Sequence, residues 1–178
     1  AAFTTGKECI YTAAETAYGI LERDLKGDAA EYYMQRFLDV QDQEGRGLAI
    51  ANDGKYAFNI TEGRTQITLC RSAIYAQGNS PDWYNGKESY QYTDIGPQCF
   101  RFVLKPHGRK LPSSEYYRIA VKINSPVSYL ADSTHAGSRR LTACSLAGIR
   151  KGGAAGGDCD NVRIMLMKKC EDDNLSLR

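Results

Sequence analysis

Between Gln98 and Asn124 the residues constrain their own backbone more tightly than anywhere else in the chain. Phe100, Phe102 and Leu104 share one face of an alternating run, with Arg101 and Lys105 on the other. After Pro106-His107-Gly108 and Pro112-Ser113-Ser114, a second run sets Tyr117, Ile119, Val121 and Ile123 against Tyr116, Arg118, Lys122 and Asn124. Period-2 patterning is the mark of a half-buried strand, and two such runs joined by Gly, Pro and Ser read as an antiparallel pair. Their apolar face is the expected seed of the core, with Phe100 and Ile119 at its centre.

The N-terminal part reads as helix. Ala13, Ala14, Ala17, Ile20, Leu21 and Leu25 lie in one segment, and Lys26-Gly27-Asp28 then stops one helix and caps a second. Glu31, three residues beyond Asp28, has capping-box spacing. Met34, Phe37, Leu38 and Gln41 continue at helical intervals. Polar, Gly-punctuated residues 41–47 form a loop. Short strand candidates follow at Leu48–Ala51, Tyr56–Ile60, Gln66–Ala76 and Tyr90–Thr93, with Asp53-Gly54 as a turn signal between the first two. Val127–Ala131, Leu141–Ile149 and Val162–Met167 complete the series. Helices first and strands afterwards predict an α+β fold. In it a helical segment over 12–41 packs on a mainly antiparallel sheet or sandwich built from 48–170. The length suits one domain, 1–178, with 1–105 and 115–178 as possible sub-modules.

Six cysteines, Cys9, Cys70, Cys99, Cys144, Cys159 and Cys170, are spread over the whole chain. No Cys-x-x-Cys occurs and His107 and His135 are the only histidines, which argues against a zinc site. An even, dispersed set predicts three disulfides and an oxidising compartment, with the connectivity left open. The sequons Asn59-Ile60-Thr61 and Asn174-Leu175-Ser176 agree with secretion. The start at Ala1-Ala2-Phe3 reads as a mature form whose leader has gone, or as a trimmed chain. No apolar run is long enough to cross a bilayer.

Net charge is +2, unevenly placed. Residues 1–63 carry 6 Lys/Arg against 11 Asp/Glu, whereas 101–151 carry ten basic residues against only Glu115 and Asp132. A face made of Arg101, Lys105, Arg118 and Lys122 is therefore a candidate surface for RNA or an anionic glycan. Trp83 and Tyr84, in the polar stretch 77–87, are candidates for stacking on a partner protein, a base or a sugar. The Gly-rich run 151–158 lacks the Gly-Lys-Ser/Thr of a phosphate loop, so no nucleotide cofactor is expected.

The order Arg118, His135, Cys144 resembles that of the secreted fungal ribonucleases and ribotoxins. That resemblance implies catalysis by a Glu and a His with an Arg steadying phosphate charge. Carried over here, the set would be His135, Arg118 and Glu115, with His107 as a further histidine. Glu115 departs from the pattern, lying three residues before the Arg rather than on a separate strand. In size, cysteine usage and order of elements, the chain also resembles the small cysteine-rich effectors secreted by plant-pathogenic fungi. This second resemblance implies a virulence-type, non-enzymatic protein that binds a host or target molecule, most often a protein, with a glycan-binding module as a further alternative.

Overall fold

In the computed structural model, the described residues are 1–4, 11–25, 31–73, 92–129, 131, 133–134, 136, 149, 152, 162, 164, 167–171 and 175–177. Compactness divides the chain into two units, Ala1–Leu111 with Tyr116–Pro126, and Pro112–Glu115 with Val127–Arg178. The first carries strands β1 (Ala2–Thr4), β2 (Tyr11–Thr16), β3 (Gly19–Asp24), β4 (Tyr32–Tyr33), β5 (Phe37–Gln41), β6 (Gly47–Asn52), β7 (Ala57–Thr61), β8 (Arg64–Ile67) and β9 (Phe102–His107). Helix α1 (Ser113–Asn124) follows, its first turn grouping with the second unit. In the second unit β10 (Met167–Lys169) pairs antiparallel with β11 (Leu175–Leu177).

Two antiparallel sheets organise the first unit, one of five strands in the order β3-β2-β5-β6-β9 and one of four in the order β1-β8-β7-β4. The five-stranded sheet is covered on both faces. Toward the small sheet it sends Ala14, Leu38, Val40 and Ile50, which pack with Met34, Phe58 and Ile67. Toward α1 it sends Phe37, Ala49 and Ala51, which meet Tyr116, Ile119, Ala120 and Ile123. Phe37 stacks on Tyr116 at 5.3 Å between ring centroids and meets the edge of Tyr117 at the same distance.

The α+β expectation is overturned: the fold is mostly antiparallel β-sheet, with α1 the only helix among the described residues. The segment 12–41 is not helical but supplies β2, β3, β4 and β5, residues 26–30 lying outside the described set. The physical reason is burial on both faces. All five residues of β5 are buried, as are the four β2 residues Thr12, Ala13, Ala14 and Glu15. A central strand of this kind needs no alternation, and its apolar residues then fall by accident at helical spacing. The opposite error occurs at 113–124. The expected second strand is α1, which buries Tyr116, Ile119, Ala120 and Ile123 at helical intervals. Ile119 is in the core as expected, but Phe100 is only half-buried, its ring under the Lys55 ammonium at 4.7 Å.

Turn chemistry fixes the connections. Glu62 and Gly63, both at positive φ (51° and 70°), close the tight β7–β8 hairpin. Asp53-Gly54 does not join hairpin partners. It turns the corner between β6 in one sheet and β7 in the other, held by Asn52 Oδ1, which accepts from the Gly54 and Lys55 amides at 2.9 and 2.6 Å. Gly47 opposes Gln41 so closely that a Cβ would stand 2.0 Å from the Val40 carbonyl oxygen. Pro106 is tolerated within β9 because that strand is the sheet's edge.

Disulfide stapling is also corrected. Cys70, Cys99 and Cys170 are free thiols, the first two exposed, and no disulfide is present among the described residues. Cys9, Cys144 and Cys159 lie outside them. A sheet packed on both faces supplies the burial that staples would supply in a smaller domain.

Candidate functional site

Two polar features stand out on the described part of the first unit. One is a sealed hydrogen-bond network beneath α1. Asp39, in the middle of β5 and fully buried, accepts from the Tyr116 hydroxyl at 2.5 Å and the Gln41 amide at 2.6 Å through Oδ2. Its Oδ1 faces His107 Nε2 at 2.8 Å. His107 Nδ1 lies 2.8 Å from the Arg109 carbonyl oxygen, which can only accept, so this nitrogen carries a hydrogen. Gln41 also donates to the Tyr116 oxygen at 3.1 Å. Burial first, and then the Asp39 hydrogen bond, raise the Tyr116 phenol above its ordinary value. The His107 side chain is only 4% exposed, and both of its nitrogens are spent inside the protein. This arrangement ties α1 and β9 to β5.

A second ion pair joins buried Glu15 of β2 to half-buried Arg36, just before β5. Glu15 receives the Arg36 amide at 2.9 Å and the guanidinium through Nε and Nη2, the shortest contact being 2.5 Å. The Glu15 hydrogen bond raises the Arg36 guanidinium above its ordinary value. The fork geometry matches a carboxylate bidentately and offsets the cost of burying Glu15.

The other feature is an open cleft of about 520 Å³. It is bounded by the start of β2, the end of β3, the β5–β6 loop and Lys110. Its charged residues are Glu22, Arg23, Asp24, Asp42, Glu44 and Lys110, with Tyr11 and Gln41 beside them. Lys110 pairs with Glu22 at 2.6 Å, and Arg46 with Asp42 and Glu44, each at 2.8 Å. The Arg46 hydrogen bond holds the Asp42 carboxyl below its ordinary value. Asp42 also shapes the loop, its Oδ1 accepting from the Glu44 and Arg46 amides. Thr12 and Arg23 alternate with Tyr11, Ala13, Glu22 and Asp24, so their side chains turn to the sheet's other face, where Thr12 Oγ1 and Arg23 Nη1 are buried without a partner. These residues oppose one another across the β2–β3 ladder. The Arg23 guanidinium lies over the rings of Tyr32 and Tyr33 at 5.4 and 5.1 Å.

The sites expected from sequence fare unevenly. Trp83, Tyr84 and His135 lie outside the described residues. Arg101, just before β9, is paired with Asp53 at 2.7 Å and holds that carboxyl below its ordinary value. Lys105 is half-buried on β9, while Arg118 and Lys122 are exposed one turn apart on α1. Lys105 and Arg118 are also engaged with partners. The four cations therefore come from a strand edge and a helix, not from one strand pair. Arg118 is not on a strand, contrary to the ribonuclease pattern, and Glu115 occupies the first turn of the same helix, where a carboxylate favours the helix dipole.

Sequence reasoning passed over Asp39, Gln41 and Tyr116, as well as the whole cleft. One available signal was Asp39 itself, an acid inside the apolar run Phe37-Leu38-Asp39-Val40. Such a residue calls for buried partners. Among the described residues no group of His, Cys, Asp and Glu is arranged to hold a metal ion, and no helix is long and apolar enough to cross a membrane.

Among the described residues, the fold and site define the first unit as two antiparallel sheets with one covering helix and an open charged cleft at a sheet end. No family model, curated protein or solved structure matches the chain.

Proposed function

We propose that the protein is a secreted, effector- or toxin-like binding protein that engages a target protein through the cleft between β2, β3 and the β5–β6 loop. The observation that carries this reading is the open cleft of about 520 Å³ itself, with the exposed charged side chains of Glu22, Glu44 and Lys110 on its wall. The exposed rim carboxylates Glu22 and Glu44 add acceptors for amide or cationic donors on the same partner. Secretion is supported by the two sequons, and effector-type action by the resemblance in size.

The test is capture from target-tissue extract by the immobilised protein, followed by titration of each captured protein against parent and Glu22→Lys/Glu44→Lys. A partner bound at least about tenfold more weakly by a variant that melts like the parent supports the cleft, since tenfold is only about 1.4 kcal/mol of interface energy. Partners bound equally by both overturn it. Incubation with total RNA gives the ribonuclease alternative its own trial, and no cleavage is expected.

A further inference from the structure

We propose that Asn59 is an N-glycosylation site, taking an oligosaccharide on the outer face of the four-stranded sheet. The proposal rests on the secreted reading above for its biological setting, but its chemistry stands on local geometry.

A sequon in a β-strand is usable only if its asparagine points away from the core, because a glycan aimed inward would block folding. In β7 the neighbours Phe58 and Ile60 pack into the inter-sheet core, so Asn59 and Thr61 face outward. Opposite Asn59 across the ladder is Gln66, itself exposed. An open depression of about 450 Å³, lined by Asn59, Gln66, Thr68, Glu31 and Ala1, leaves room for the first sugars. Ala2 and Ile67 complete its wall, so polar and apolar groups both meet the substituent, as the hydroxyls and ring carbons of a sugar require.

The Thr61 hydroxyl donates to Asn59 Oδ1 at 3.0 Å. That contact spans two residues of extended chain and can form before the sheet does, when the modification takes place. It engages the carboxamide oxygen and leaves the nitrogen of half-buried Asn59 outside that contact. The co-reactant is an oligosaccharide linked to a polyprenyl diphosphate, supplied with a membrane oligosaccharide transferase. Asn59 Nδ2 bonds to the anomeric carbon, the carbon–oxygen bond to the diphosphate breaks with its electron pair leaving on oxygen, and one amide proton passes to a base of the transferase. The product is a neutral, bulky substituent on a sheet face.

The experiment expresses the chain in eukaryotic cells behind a supplied secretion leader, so that transit past the transferase does not depend on the secreted reading being right. The peptide Tyr56–Arg64, released by trypsin, is then mapped by mass spectrometry before and after amidase treatment. The expected result is an oligosaccharide mass on this peptide, with Asn59 converted to Asp on enzymatic release. Asn59→Gln and Thr61→Val should both lose that mass while keeping the parent's far-UV circular dichroism. Thr61→Val retains β-branching, so loss of the glycan there reports the hydroxyl and not the strand. Unmodified Asn59 in secreted parent protein overturns the proposal, as does a mass on this peptide that persists in Asn59→Gln. Absence of the untagged natural protein from its producer's medium would count against the secreted reading alone.

Discussion

Asp39 shows how one buried acid organises its neighbours. A carboxylate at full burial is costly unless hydrogen-bonded, and here Tyr116 and Gln41 donate to it while His107 Nε2 stands 2.8 Å from its other oxygen. Removing one leaves the acid short of a partner, so Tyr116→Phe should cost about 1–3 kcal/mol. The same phenol gives a pH signature. Its value in the folded protein is raised, by burial first and Asp39 second, so above about pH 10 the unfolded chain loses this proton while the folded one keeps it. The unfolded state then binds fewer protons, and stability falls as pH rises. Below about pH 10 both states hold the proton and the contribution is fully present. Chemical-denaturation midpoints measured upward from about pH 8 should decline beyond about pH 10 in the parent and less steeply in Tyr116→Phe. Equal slopes would mean that the hydroxyl is not held as described.

At the scale of elements, the contrast between α1 and β2 is the instructive one. Residues 116–123 satisfy two periodicities at once, Tyr117/Ile119/Val121/Ile123 for a strand and Tyr116/Ile119/Ala120/Ile123 for a helix. Only the start signal separates them: Pro112, then Ser113-Ser114-Glu115, is the composition of a helix N-terminus. Because Ile119 belongs to both sets, its burial was legible although its element was not. Ile119→Ala should destabilise by about 2–5 kcal/mol. Phe100→Ala should cost clearly less, since its half-buried ring lies outside both core clusters and has the Lys55 ammonium above it. Paired thermal melts decide this, and a larger loss for Phe100→Ala would contradict the packing described. For β2 and β5 the missing information was long-range. Their residues read as helical until it is known that one sheet face meets a second sheet and the other meets a helix.

Taken as a whole, the first unit draws its stability from two apolar clusters on opposite faces of one sheet, with no staple among the described residues. Exposed Cys70 and Cys99 should therefore react with an alkylating reagent under native conditions, without prior reduction. Intact-mass measurement of the native protein should show at least these two additions, assigned by peptide mapping. Their complete protection would restore the stapled picture that cysteine count alone suggested.

The sequence by itself determined one separator and several strands: the Gly-punctuated loop before β6, β6 itself, β7 and the core of β9, all set by local backbone preference and short-range alternation. It also determined that Asn59, between Phe58 and Ile60, shares a face with Thr61, since alternation needs no knowledge of the partner strand. Tertiary structure alone decided the rest. Whether an apolar segment becomes a helix or a doubly covered strand depends on what packs against each face, and that is a property of distant residues. The buried network joins Asp39 to His107 and Tyr116 across separations of 68 and 77 residues, and the cleft draws on β2, β3, the β5–β6 loop and Lys110. Neither exists until the sheet has brought those segments together, because hydrogen bonds and clefts are fixed by distance in space and not by spacing along the chain.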